Sequence, residues 1–150
     1  MEVKLSDYMN INRIHFCSAL SKEEVIDELI DLAREDGKIR NVKGFKEALL
    51  KRESIMSTGI GYGVAIPHVK LPDIPDFFIT IGLHKRGVNW DSLDCKPVFI
   101  ILLIAGPDCE QEKYLHILAK LTTIIKIPTQ RERLIGLKNK YDVLRMLSGF

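Results

Sequence analysis

The sequence predicts an α/β layer fold in a single domain over residues 1–150, and three observations lead there. Helical apolar spacing occupies both ends of the chain, strand-length apolar runs occupy the middle, and glycines and prolines punctuate the segment between. Helices that open and close a chain around strands favour layers on a sheet over a bundle or a sandwich. The chain has 150 residues and 46% hydrophobic content, enough for one sizeable core.

The elements follow in order. Ile14, Phe16 and Ser18 alternate with Arg13, His15 and Cys17, the period of a short strand with one face inward. Ser21 and Glu24 form a capping box ahead of Val25, Ile26, Leu29, Ile30, Leu32 and Ala33, which gather mostly on one side of a helix that Gly37 stops. Asn41 caps a second helix, with Val42, Phe45 and Leu49 three and four residues apart and Lys51 and Arg52 in a final turn near Glu53. From Ser57 to Pro75, Gly59, Gly61, Gly63, Pro67, Pro72 and Pro75 preclude one continuous element. That segment reads as a structured loop with one short strand at Val64 to Ile66.

Strands resume at Phe77 to Leu83 and at Val98 to Ala105, joined by the turn-rich Gly87 to Asp94, and are expected to pair antiparallel. Beyond Pro107, Tyr114, Leu118, Leu121 and Ile125 take helical spacing until Pro128. Thr129 and Glu132 are expected to cap a further helix, and Asn139 to start the last.

Composition excludes several function classes. Lys plus Arg number 22 against 20 for Asp plus Glu, and a net charge of +2 gives no global field to attract nucleic acid. The longest apolar run, Val98 to Ala105, is too short to cross a bilayer, so no direct membrane insertion is expected. Met1 to Asn10 lacks the continuous apolar stretch of a signal peptide. Cys17, Cys95 and Cys109 are odd in number and far apart, which reads as reduced thiols in a cytoplasmic protein. His15 and His84 have no carboxylate or cysteine at metal-ligand spacing and read as structural, and Trp90 as core or pocket wall. Arg131, Arg133, Lys138, Lys140 and Arg145, interleaved with Glu132 and Asp142, read as a solvated helix surface.

The informative stretch runs from Arg52 to His68. Gly59 and Gly61 let the backbone approach an anion, Ser57 and Thr58 carry hydroxyl donors, and Arg52 can neutralise charge. A neutral imidazole at His68 supplies a nucleophile, and Pro67 fixes the backbone just before it. Phosphoryl transfer needs these groups together. The glycine spacing matches neither a dinucleotide fingerprint nor a nucleotide P-loop. From the residues alone, the stretch also fits a glycine-rich turn beside a structural histidine.

Arg52-Glu53, Ser57-Thr58-Gly59-Ile60-Gly61 and Ala65-Ile66-Pro67-His68 together resemble the signature of the enzyme IIA domain of the bacterial phosphotransferase system, in its fructose, mannitol and nitrogen-regulatory class. Asn89-Trp90-Asp91, Leu93-Asp94, the strand from Val98 and Leu118-Ala119-Lys120-Leu121 continue the resemblance over nearly the whole chain. It implies a mixed sheet of about five strands flanked by helices. It also implies that His68 takes phosphate from the carrier HPr, with Arg52 neutralising the phosphoryl charge, and gives it to a IIB domain or uses it as a signal to a regulated target protein. No metal or cofactor is implied. Leu5-Ser6-Asp7-Tyr8-Met9 and Asn12-Arg13-Ile14 look more like the nitrogen-regulatory branch. The alternative is a regulatory binding module whose choice of partner is switched by His68 phosphorylation.

The family often carries a second active-site histidine near the start of the late helix, where the register places Tyr114, with His116 two residues on. Residues two apart on a helix point about 200° from one another. Tyr114 shares a face with Leu118, Leu121 and Ile125, so of the two pocket candidates it is expected inside, and His116 towards solvent. Partner recognition is expected from a shallow apolar ring of Ile60, Tyr62 and Val64 around His68, because the net charge is small and these loop residues are apolar.

Overall fold

A computed structural model describes residues 3–150; Met1 and Glu2, which open the segment read above for a leader, lie outside it. Two 3-10 turns, Leu5–Tyr8 and Ile11–Arg13, lead into β1 (Ile14–Cys17), α1 (Lys22–Glu35) and α2 (Val42–Ile55). Next come β2 (Gly59–Gly61), β3 (Val64–Ala65), β4 (His68–Lys70), β5 (Phe78–Val88) and β6 (Val98–Gly106). The chain closes with α3 (Gln111–Ile125), α4 (Pro128–Gly136) and α5 (Lys140–Ser148).

Six strands form one mixed sheet in the order β1, β5, β6, β3, β2, with β4 also paired to β6. β3 and β4 lie end to end along β6, Val64 opposite Ile100 and His68 opposite Ile104, so the sheet is about five strands wide. Pro67 makes the break between them. It has no N–H to contribute, yet its carbonyl still accepts the Ile104 N–H at 2.9 Å. β5 and β6 pair antiparallel, as the two apolar runs predict, and β1 lies parallel to β5.

The central position of β6 follows from its composition, since a strand with apolar residues on both faces needs cover on both. Ile100, Leu102 and Ile104 pack with Ile117 and Leu121 of α3, Leu134 of α4 and Val143 of α5. Ile101, Leu103 and Ala105 pack on the opposite face with Val25 and Leu29 of α1, Phe45 and Leu49 of α2, and Trp90. Each such fully covered Leu or Ile contributes roughly 1.5–3 kcal/mol, so the sheet is clamped from both sides.

Helix starts follow the capping signals at three places. Ser21 Oγ accepts the Glu24 N–H at 3.2 Å, Asn41 Oδ1 the Gly44 N–H at 3.0 Å, and Asn139 Oδ1 the Tyr141 N–H at 2.7 Å. At α4 the expectation fails. Pro128 occupies the first turn and Ile127 the cap position, so the helix begins before Thr129 and no side chain caps it. Proline presets the helical φ and removes one N–H that would need a partner, which makes a hydroxyl cap unnecessary.

Two strand boundaries also differ. The Ser57 to Pro75 segment holds three short strands rather than one, because each glycine or proline ends a strand without preventing the next from joining β6 or its neighbour. β5 continues past Leu83, across a bulge, until Val88 pairs with Val98. Cys17, Cys95 and Cys109 are free thiols, and burial pushes the Cys17 thiol up to about 12.

Candidate functional site

His68 is the first residue of β4, set immediately after Pro67 at the break in the strand line. Its Nδ1 lies 2.9 Å from the Ile66 carbonyl. A carbonyl only accepts, so Nδ1 carries the proton of the neutral ring and Nε2 keeps its lone pair. Arg52, in the last turn of α2, donates its Nε–H to that Nε2 at 3.3 Å and an NH1 proton to the Met56 carbonyl at 2.9 Å. Burial lowers the His68 pKa from the ordinary 6.5 and the Arg52 charge adds to this, outweighing the Ile66 hydrogen bond that raises it. The ring is therefore neutral at pH 7, with a nucleophilic nitrogen aimed at a guanidinium.

Tyr114 closes the opposite side. Its ring centroid is 5.6 Å from that of His68 and 6.3 Å from that of Phe77, and burial raises its phenol pKa. His116 points elsewhere: its side chain is 40% exposed and its Nε2 lies 3.7 Å from Glu112 on the same helix. The other two histidines also stand apart. His15 pairs with Glu28, and the buried His84 donates from Nε2 to the Ala19 carbonyl at 2.7 Å.

The loop residues read as phosphate binders are placed differently from that reading. Ser57 Oγ donates to the Trp90 carbonyl at 2.6 Å and accepts the Gly59 N–H at 3.1 Å. Thr58 is buried, its hydroxyl donating to Glu53 and accepting the Trp90 indole N–H at 3.3 Å. Both hydroxyl protons and the Gly59 N–H are thus engaged inside the protein, where they shape the loop. Gly59 also packs so close to Ser92 that a Cβ would lie 2.2 Å from its Oγ. Gly61, at φ +98, begins a turn in which Tyr62 and Gly63 also take positive φ. Its glycine identity serves the hairpin.

The expected apolar ring is corrected in the same way. Val64 is fully buried under the helices because β3 turns it inward next to Ile100. Ile60 is 38% exposed, and Tyr62 sits at the hairpin tip with the Arg131 guanidinium 4.7 Å over its ring. The register sets Val64 and His68 four residues apart along β6, roughly 13 Å, and Tyr62 lies beyond Val64. Tyr62 is therefore not beside His68. The exposed apolar residues that adjoin Arg52 are Ile55 and Met56, which end α2.

Glu53, part of the Arg52-Glu53 motif, has a structural role that the sequence analysis did not assign. It is buried, accepts both the Thr58 N–H and hydroxyl, and pairs with Lys22 at 2.7 Å, while Lys22 Nζ also lies 5.5 Å over the Trp90 ring. Its signal was available: Phe45 and Leu49 define a buried stripe on α2, and the next position four residues on is Glu53. A carboxylate on an apolar stripe calls for a partner. Lys70, two residues beyond His68 on the same strand, is the second omission.

The model of one protein family, described as "Phosphoenolpyruvate-dependent sugar phosphotransferase system, EIIA 2", matches residues 7–149. The chain belongs to this EIIA family. The fructose-specific EIIABC component of Bacillus subtilis is 34% identical over 127 residues, 85% of this chain, which spans only 20% of that protein's length. A nitrogen regulatory protein of Bradyrhizobium diazoefficiens is 34% identical over 107 residues, covering 71% of this chain and 69% of that protein. In structure, the nitrogen regulatory protein IIA-Ntr of Neisseria meningitidis superimposes with a TM-score of 0.88 at 26% identity, covering 95% of this chain and 97% of that one. EIIA proteins with sugar-specific and nitrogen-regulatory names are thus both similar to this chain. No described helix is long and apolar enough to cross a membrane.

Proposed function

We propose that this EIIA protein is a phosphohistidine carrier in which His68 Nε2 accepts a phosphoryl group from an HPr-type phosphocarrier and later yields it. The observation that carries the reading is the division of labour on the His68 ring. Ile66 holds the proton on Nδ1, and Arg52 approaches the lone pair on Nε2 where negative charge will arrive. Catalysis consists of positioning and charge stabilisation, with a neutral imidazole as nucleophile.

The phosphoryl group then passes to a IIB domain or serves as a signal to a regulated target. We favour the nitrogen-regulatory branch. The match to the Neisseria IIA-Ntr structure over nearly the full length of both chains supports it, as does the N-terminal segment from Leu5 to Ile14. Partner docking uses the exposed apolar side chains next to Arg52, Ile55 and Met56, together with Ile60.

The test mixes the purified protein with phosphoenolpyruvate, enzyme I and HPr. Wild type should take up an acid-labile, base-stable label, and His68→Ala should take up none. Persistence of the label in that variant would refute the assignment of His68.

A further inference from the structure

We infer that Lys70 is a second phosphate-neutralising residue, an ammonium that moves from the face of Tyr114 onto the phosphoryl group once His68 carries it. The inference rests on the carrier reading of His68.

The transfer gathers negative charge on the phosphoryl oxygens, where a second cation can act. In the transfer step the Nε2 lone pair forms a new N–P bond as the donor's bond to phosphorus breaks. The donor keeps the bonding pair, and the proton stays on Nδ1, which donates it to the Ile66 carbonyl. The ring, which keeps its Nδ1 proton, thereby takes up one positive charge, while the phosphoryl oxygens carry about two negative charges beside one guanidinium. The Ser57 and Thr58 hydroxyls cannot help, since they donate to the Trp90 carbonyl and to Glu53.

Geometry supplies the second cation. Residues two apart in a strand share a face and lie roughly 7 Å apart, so Lys70 leaves β4 on the same side as His68. Its Nζ sits 4.6 Å over the Tyr114 ring and donates to the Gln111 side chain, and the Tyr114 ring in turn lies 5.6 Å from the His68 ring. One aromatic ring adjoins both the ammonium and the imidazole. The resting partners of Lys70 are a neutral amide and a π-face, and both are weaker than a dianion, so the ammonium is free to transfer when the dianion appears. Its charge already acts on His68 before phosphorylation, adding to the lowering of the imidazole pKa. The charged and titratable groups facing His68 are then Arg52 and Glu53 from α2, Lys70 from its own strand and Tyr114 from α3.

The experiment phosphorylates wild type, Lys70→Gln and Lys70→Arg with phosphoramidate, a small donor that needs no docking, and titrates the phosphohistidine by phosphorus NMR. A neighbouring cation disfavours the protonated form of the adduct, so Lys70→Gln should raise its titration midpoint by about one unit, while Lys70→Arg keeps it near wild type. Labelling of Lys70→Gln should also slow about tenfold. A midpoint and rate unchanged in Lys70→Gln would overturn the role of Lys70 alone. A wild type that takes no label on His68 from phosphoramidate or from HPr would overturn the carrier reading and this inference with it. Lower thermal stability with an unchanged midpoint would make Lys70 structural, and the inference false.

Discussion

The two walls around His68 are built in opposite ways. On the α2 side Arg52 is followed by a buried network, in which Glu53 binds Thr58 and Lys22 while Trp90 covers Lys22 and Thr58. On the α3 side Tyr114 is packed on Phe77, but the charge near it, Lys70, is partly exposed and held by an amide and a ring face. The first wall holds the loop by buried bonds and the guanidinium by its bonds to His68 and Met56, and the second holds its cation only by a neutral amide and a ring face. The proposed carrier role draws on both, since the incoming charge must be met by a preset group and then released to the next acceptor.

The largest expected effect lies on transfer at the first wall. Arg52→Gln should slow phosphorylation of His68 by about a hundredfold while changing stability by only about 0.5 kcal/mol, since the guanidinium is partly hydrated. Single-turnover labelling and a urea melt on the same preparation separate the two quantities. Transfer at the wild-type rate with an earlier melt would turn Arg52 into a structural residue and erase the contrast between the walls.

Glu53→Ala reverses the pattern. Removing one member of a buried pair should destabilise the fold by about 3 kcal/mol, because Lys22 and the Thr58 hydroxyl and N–H lose their partner. A urea midpoint close to wild type would mean that water replaces the carboxylate and that the network is not rigid.

The smallest effect is a pH slope. Burial and Arg52 depress the folded-state pKa of His68 below its unfolded value near 6.5, so in the window just below 6.5 the unfolded chain binds more protons than the native one. Stability from this residue is therefore complete above 6.5 and falls as pH drops through that window to the folded pKa. His68→Gln should flatten that part of the stability profile. A slope that survives the substitution belongs to another group.

How much of this was legible in the sequence depended on how local the cause was. The caps at Ser21, Asn41 and Asn139 and the pairing of β5 with β6 follow from neighbours in the chain or from a continuous apolar run, and they could be read directly. His68 and Arg52 were identified as a pair because the motif places both, and the structure sets them 3.3 Å apart. The roles of Ser57 and Thr58 were not legible, because their partners, Trp90 and Glu53, are settled by packing of α2 against the loop after β5. Val64 was misplaced for a related reason: a strand of two residues gives no alternation from which to tell inward from outward. Lys70 escaped notice because its significance lies in a ring from α3, distant in sequence.

The central claim is that His68 Nε2 accepts the phosphoryl group while Nδ1 keeps its proton, donated to the Ile66 carbonyl. Nitrogen NMR of the protein labelled with 15N in its histidine rings, recorded before and after phosphorylation, tests it most directly. The account predicts phosphorus coupling on one ring nitrogen, Nε2 of His68, with the Nδ1 proton still in its hydrogen bond and the signals of His15, His84 and His116 unmoved. Coupling on His68 Nδ1, or on any of the other three rings, would contradict it.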